Sequence, residues 1–217
     1  MLAVGLARNC GPAIRGAVER VSAPLAGFER VQRLVIESDS ADDTVARRQP
    51  LRRERPDFES LGELRRTLPL RTDRITRCRN RYLDRLAEAP RYRDVQTLVA
   101  ADLGSVYDPL TPEGLLSCWD FEGWEQLLAT VGVPEGARRA GRTGAPRRRA
   151  FAPSAHSRGR TAVEVDSTFG GLGVYRREAI GDSRYIGLAP DGGELCEHPT
   201  FHAALRVATG GRRRRRG

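Results

Sequence analysis

The chain has 217 residues and a formal net charge of +9, and every basic residue is an arginine. Residues 131–160 contain eight arginines and one acid, Glu135, and residues 212–216 are five further arginines. The rest of the chain is therefore mildly acidic, which argues against a surface that reads DNA or RNA. No apolar run approaches the roughly 20 residues that span a bilayer, so we expect a protein without a transmembrane segment.

The cysteines are far apart in the sequence. Cys10, Cys78, Cys118 and Cys196 form no CxxC pair, which disfavours a disulfide framework or a zinc site and favours reduced thiols. The first nine residues have neither the basic start nor the length of a signal peptide. Both features predict a cytoplasmic protein, and peripheral contact with the inner face of the membrane stays open.

The first 40 residues predict a βαβ unit. Residues 2–6 and 31–36 are short apolar runs typical of buried strands, and residues 14–25 carry apolar side chains at helical spacing between them. An Arg-rich, proline-punctuated stretch, 49–70, follows and is predicted to lie on the surface. Residues 72–87 are predicted to form a helix, and residues 95–101 a buried strand that ends at Asp102.

The second half of the chain is interrupted by the basic stretch. Residues 111–128 predict one or two short amphipathic helices, and residues 131–161 lose all periodicity, so we expect a disordered, protease-sensitive insert. A strand at 162–165, a polar turn, a glycine-rich strand at 170–175 and a helix ending at Val207 follow. One domain is thus built from residues 1–130 and 162–208, with a disordered arginine tail at 209–217.

Several short motifs occur once each along these elements, and their order and spacing are informative. They are Leu6-Ala7-Arg8-Asn9, Glu37-Ser38-Asp39-Ser40 with Thr44, Arg74-Ile75 with Arg79-Asn80 and Tyr82-Leu83, Asp102-Leu103, Asp166-Ser167-Thr168-Phe169-Gly170-Gly171-Leu172-Gly173-Val174-Tyr175-Arg176, and Cys196-Glu197-His198 with Phe201-His202. In this order and spacing the chain resembles bacterial nucleotide-sugar-dependent glycosyltransferases of the GT-A type. The resemblance covers most of residues 1–128 and 162–206. It implies an α/β fold, a single GT-A-like (Rossmann-like) domain whose mostly parallel central sheet is flanked by helices.

The resemblance also implies roles for particular residues. Those implied to bind the donor are Arg8, Glu37, Asp39, Arg79 and Asp102. Glu197 resembles the carboxylate that activates the acceptor hydroxyl, and a loop implied to border the sugar and acceptor contains Asp166, Phe169, Gly170 and Gly171. A divalent metal, Mn²⁺ or Mg²⁺, is implied as cofactor, with Asp102, His198 and His202 as its ligands.

Each role has a structural alternative. Glu37 and Asp39 have about even odds of being only a helix cap and its loop. The alternative for Arg79 is a solvated helix residue, as most arginines are. The glycines serve packing about as readily as substrate contact. His198 and His202, four residues apart, share a helix face as metal ligands would, but a capped or solvated pair is equally compatible.

The chain departs from the family pattern at Gly104, where the family has a second Asp that touches the metal, and in the basic insert. We therefore expect metal binding to be weak or lost. The predicted function is transfer of a sugar from a nucleotide-diphospho-sugar to a glycan or lipid-linked acceptor of the cell-surface polysaccharide type. A non-catalytic nucleotide-binding or interaction protein on the same scaffold is the alternative, and an Arg-tract nucleic-acid binder is a third.

Overall fold

We describe residues 1–46, 56–103, 167, 169 and 172–208 of a computed structural model. The five strands form one sheet and are β1 (Leu2–Ala7), β2 (Gln32–Glu37), β3 (Pro56–Ser60), β4 (Thr97–Asp102) and β5 (Leu172–Arg176). The predicted helices at 111–128, the insert at 131–161, the strand at 162–165 and the arginine tail lie outside the described residues.

The sheet has the order β3-β2-β1-β4-β5. β1 pairs in parallel with both β2 and β4, and β2 pairs in parallel with β3, whereas β5 runs antiparallel to β4. A mixed α/β fold with a mostly parallel sheet flanked by helices, as the sequence predicts, is therefore confirmed. Because the chain leaves β1 toward β2 and later returns to its other side as β4, the strand order reverses at β1.

The sequence prediction missed β3. Residues 56–60 lie inside the stretch predicted as surface, yet they extend the sheet in register with β2, with Phe58 opposite Val35. β3 is a short edge strand paired with one neighbour, so it needs little apolar sequence and can begin with a proline. Together with the arginines that precede it, this leaves no strand pattern in the sequence. The paired strand ends bring Ser60 opposite Glu37.

Four helices cover the sheet: α1 (Ile14–Ser22), α2 (Arg71–Glu88), α3 (Arg177–Ile180) and α4 (Glu197–Ala208). Strand residues alternate between the two faces. Leu2, Val4 and Leu98 pack with α2 and α4, while Ala3 and Val99 pack with α1 on the other side. None of the described helices is both long and apolar enough to cross a membrane.

The helices α2 and α4 occupy one face of the sheet and carry most of the predicted site. α2 begins one residue before the predicted helix and ends one residue after it, at Glu88. α4 begins at Glu197, so Glu197 and His198 lie in the first helical turn. Asn80 on α2 binds the backbone of Tyr185 in both directions, at 2.9 and 3.0 Å, and so holds the segment that leads to α4 against α2.

Candidate active site

The reversal of strand order at β1 places a crevice at the carboxyl ends of β1, β2 and β4, where ligands bind in open α/β sheets. Arg8 and Asn9 follow β1 at this edge, and both are exposed. Asp102 ends β4, with 37% of its side chain exposed. α2 packs on one face of the sheet, and its Arg79 side chain binds Asp102 at this edge.

Arg79 is the centre of a buried charge cluster. Its side chain is only 2% exposed, and its guanidinium binds two carboxylates: Nη2 donates to Asp102 Oδ1 at 2.9 Å, and Nε donates to Glu197 Oε1 at 3.1 Å. The remaining nitrogen, Nη1, is buried without a hydrogen-bond partner among the described residues. A guanidinium has five N–H donors in a planar fork, so Arg79 keeps donor capacity in a buried site.

Aromatic rings surround this guanidinium. The Phe169 ring centroid lies 5.1 Å from Arg79 Cζ, and the Tyr185 centroid lies 5.5 Å from it, both within the range of cation–π contacts. Tyr82 O–H donates to the Tyr185 hydroxyl at 2.8 Å. Burial lowers the pKa of Arg79, but the electrostatic effects of Tyr82, Asp102 and other neighbours outweigh it and the net pKa is raised. The cluster therefore contains a permanent cation.

His198 completes the cluster, and no described residue forms a hydrogen bond with its side chain. Its ring stacks on Phe169 at 3.6 Å between centroids, with 15° between the planes, and Tyr185 meets it edge-on at 5.7 Å. Nε2 lies 3.5 Å from Glu197 Oε1, and within the described chain neither ring nitrogen has a hydrogen-bond partner. Burial, with the charge of Arg79 next, lowers the pKa of His198 to about 2, so the imidazole is neutral near pH 7.

His202, one turn later on α4, has a different environment. Its Nδ1 lies 2.7 Å from Ser167 Oγ, and its Nε2 lies 3.0 Å from the Tyr175 hydroxyl. Burial, followed by Arg206, lowers its pKa to about 4. A neutral imidazole has one N–H and one lone pair, and both are used by these hydroxyls.

The loop after β2 forms a second buried polar group. Glu37 Oε1 accepts from the backbone N–H of Ser40, and Glu37 Oε2 accepts from the Ser60 hydroxyl. Asp39 has a left-handed backbone, with φ of 58°. Its Oδ1 accepts from the backbone N–H of Arg65 at 2.8 Å, and its Oδ2 lies 3.4 Å from Arg74 Nε. Both carboxylates are thus bound by the protein itself.

The structure brings together five of the predicted site residues: Arg79, Asp102, Phe169, Glu197 and His198. Glu37 and Asp39 lie at the neighbouring strand end, where the Cys78 thiol donates to Ser38 Oγ at 3.3 Å and joins the β2 loop to α2 just before Arg79. The predicted residues Asp166, Gly170 and Gly171 lie outside the described residues, as does Gly104.

The three predicted metal ligands do not fit a metal ion in this arrangement. Asp102 Oδ1 is bound by Arg79, and both nitrogens of His202 are occupied by hydroxyls. The Arg79 guanidinium binds the same Oε1 oxygen of Glu197 that lies 3.5 Å from His198 Nε2, and this neighbouring cation opposes a metal ion at His198. The described part of the chain contains no group of three His, Cys, Asp or Glu side chains arranged to hold a metal.

Sequence reasoning did not assign a role to Tyr185 or Tyr175. Tyr185 is separated from Arg79 by more than 100 residues, and no spacing pattern links them. Gly173 offered a weak signal for Tyr175, because a Cβ at Gly173 would lie 2.5 Å from the Tyr175 hydroxyl. This glycine therefore serves packing, since the tyrosine crosses it to reach His202.

A mostly parallel sheet whose strand order reverses at β1 defines an open α/β fold, and the buried Arg79 lies at its carboxyl edge between Asp102 and Glu197. Comparison with solved structures narrows the fold. S. aureus TarS 1-349 superposes with a TM-score of 0.57 and 15% identity, over 95% of this chain and 55% of that one. A second structure of S. aureus TarS gives a TM-score of 0.60 at 14% identity, over 95% and 33%.

The mannosyltransferase PcManGT from Pyrobaculum calidifontis, solved in complex with GDP-Man and Mn²⁺, superposes with a TM-score of 0.51 and 11% identity, over 88% of this chain and 49% of that one. The chain therefore spans about half or less of the length of these structures. Sequence comparison finds no matching family model and no matching curated protein. At these identities the comparison shows the fold alone, and that fold is the GT-A type of glycosyltransferases.

Proposed function

We propose that this chain binds a nucleotide-diphospho-sugar and transfers its sugar to a glycan or lipid-linked acceptor. The observation that carries the proposal is the Arg79 cluster: a buried guanidinium lies at the carboxyl edge of a GT-A-type sheet, and its Nη1 donor has no partner among the described residues. Phosphate oxygens are the acceptors that a guanidinium fork suits best. Arg79 is therefore assigned to the donor diphosphate, beside the exposed Arg8.

Glu197 is assigned as the general base of the transfer. Arg79 and His198 both approach its Oε1 oxygen, so we assign Oε2 to the acceptor proton. In the step, the acceptor oxygen forms a bond to the anomeric carbon while the bond from that carbon to the phosphate oxygen breaks. The proton of the acceptor hydroxyl passes to Glu197, and the leaving electron pair stays on the diphosphate, next to Arg79.

The other donor residues contribute indirectly. Glu37 and Asp39 shape the loop after β2 by binding Ser40, Ser60, Arg65 and Arg74, and this loop borders the place where the base and ribose would lie. Asp102 positions Arg79 through its Oδ1 oxygen, and its partly exposed side chain faces the crevice. Mn²⁺ accompanies GDP-Man in PcManGT, but Asp102 and His202 are bound by other side chains here, and the described residues contain no group of three ligands for a metal, so no step is assigned to one.

A thermal-shift panel of nucleotide sugars, each with Mn²⁺ and with EDTA, tests the proposal. We expect at least one nucleotide sugar to raise Tm, because a ligand at 100 times its Kd stabilises the folded state by about 2.7 kcal/mol. Release of nucleoside diphosphate with a glycan or lipid-linked acceptor then tests transfer. Binding without any release would favour the non-catalytic alternative, and no shift with any nucleotide would refute donor binding.

A further inference from the structure

The two histidines of α4 differ in how they are satisfied. His198 and His202 are both buried, 6% and 3% exposed, and both are neutral near pH 7. Ser167 and Tyr175 satisfy both nitrogens of His202, whereas the protein around His198 leaves both of its nitrogens unpartnered within the described residues. Buried polar atoms without partners destabilise a protein and are rare. The two nitrogens of His198 are therefore expected to have a function, such as binding a ligand.

The surroundings of His198 restrict what its partner can be. A cation is disfavoured, because the Arg79 guanidinium binds the same Oε1 oxygen of Glu197 that His198 Nε2 approaches at 3.5 Å. A phosphate at neutral pH accepts hydrogen bonds only, so it would satisfy the N–H and leave the lone pair of the other nitrogen unused. A hydroxyl both donates and accepts, so sugar hydroxyls can pair with either nitrogen of the ring, the one that carries the proton or the one that carries the lone pair.

We propose that His198 is the residue that reads sugar hydroxyls in this site, as a neutral hydrogen-bond donor and acceptor and not as a metal ligand. Phe169, whose ring stacks on one face of His198, is partly exposed, and the stacking leaves the in-plane directions of both nitrogens to a ligand. Glu197, the adjacent residue, then faces the same sugar. The inference rests on the proposed function, since it takes the ligand to be the sugar of the donor or of the acceptor.

The test compares affinities for a nucleotide sugar and for the matching nucleoside diphosphate, both by calorimetry, in the wild type and in His198→Phe. Phenylalanine keeps the ring and its stacking on Phe169 but removes both nitrogens. If His198 holds the donor sugar, the affinity for the nucleotide sugar falls about ten- to a hundredfold, as expected for two lost hydrogen bonds, while that for the nucleoside diphosphate is unchanged. If it holds the acceptor sugar, donor affinity is unchanged and the acceptor KM rises by a similar factor.

His198→Gln is the conservative variant and should recover part of the loss, because its amide both donates and accepts. His202→Phe is the matched control on the same helix. It should lower Tm, since Ser167 and Tyr175 lose their partner, and should leave the sugar contribution to affinity unchanged. His198→Phe should not lower Tm, because its nitrogens make no hydrogen bond within the described structure.

Several outcomes overturn the inference. One is a His198→Phe chain with unaltered donor affinity and unaltered acceptor KM, and another is one that fails to fold. A third is an equal loss of nucleoside diphosphate and nucleotide-sugar binding that appears only with Mn²⁺, which would make His198 a metal ligand. In these cases nucleotide-sugar binding by the wild type would still support the proposed function. A wild type that binds no nucleotide sugar overturns both.

Discussion

Two buried polar regions lie side by side at the carboxyl edge of the sheet, and they differ in how completely they are satisfied. In the loop after β2, Glu37 and Asp39 receive hydrogen bonds or an ion pair at both carboxylate oxygens from the protein. In the Arg79 cluster, one guanidinium nitrogen and both nitrogens of His198 remain unpartnered in the described structure. The first region is built to hold its own shape, and the second has capacity left for a ligand.

The largest expected effect is on transfer by the Arg79 cluster. Glu197→Gln keeps the shape of the side chain but cannot accept the acceptor proton, so we expect sugar transfer to fall about 10²- to 10⁴-fold while nucleotide-sugar affinity changes little. Transfer is measured as nucleoside diphosphate release. The control is Glu178→Gln, on the exposed surface of α3. A Glu197→Gln enzyme that transfers at the wild-type rate would remove Glu197 from the role of base.

The next effect is on the stability of the β2 loop. Asp39→Ala removes the acceptor for the Arg65 N–H and the partner of Arg74, and it places alanine at φ of 58°. We expect the free energy of unfolding to fall by about 3 kcal/mol. Asp39→Gly loses the same contacts without the backbone strain, so it should be about 1 kcal/mol less damaging.

Urea unfolding of both Asp39 variants measures the difference, and Asp182→Ala, at an exposed position, is the control. Equal losses for alanine and glycine would show that the left-handed backbone at Asp39 carries no strain. If Asp39→Ala keeps the wild-type free energy of unfolding but no longer binds nucleotide, the loop after β2, and not the Arg79 cluster, would be the ligand site.

The smallest expected effect is a pH dependence carried by the histidines of α4. Their folded-state pKa values, about 2 for His198 and about 4 for His202, are below the usual 6.5, so the unfolded chain binds more protons below pH 6.5. The free energy of unfolding is therefore lost as the pH falls below 6.5. Between about pH 7.5 and about pH 5.5, each histidine should contribute about 1 kcal/mol to that loss.

His198→Phe and His202→Phe should each reduce this pH dependence by about 1 kcal/mol, measured by urea unfolding at the two pH values. The His202 variant should be less stable than the wild type and bind sugar normally, whereas His198→Phe should keep its stability and bind sugar more weakly. The reason is that, within the described structure, only the nitrogens of His202 have hydrogen-bond partners. A variant with the wild-type pH dependence would indicate that its histidine is already protonated or exposed in the folded chain.

The sequence by itself determined the sheet core and the helix that carries Arg79, because buried strands and amphipathic helices leave periodic apolar patterns in a single chain. The GT-A resemblance rests instead on the order and spacing of short motifs. It did not show β3, whose edge position needs little apolar sequence. It could not distinguish the environment of His198 from that of His202, because two residues four apart on one helix face give no information about their hydrogen-bond partners. Only the tertiary structure decided that, since Ser167 and Tyr175 reach His202 from another part of the chain, while Tyr185 and Phe169 surround His198 with rings that cannot satisfy it.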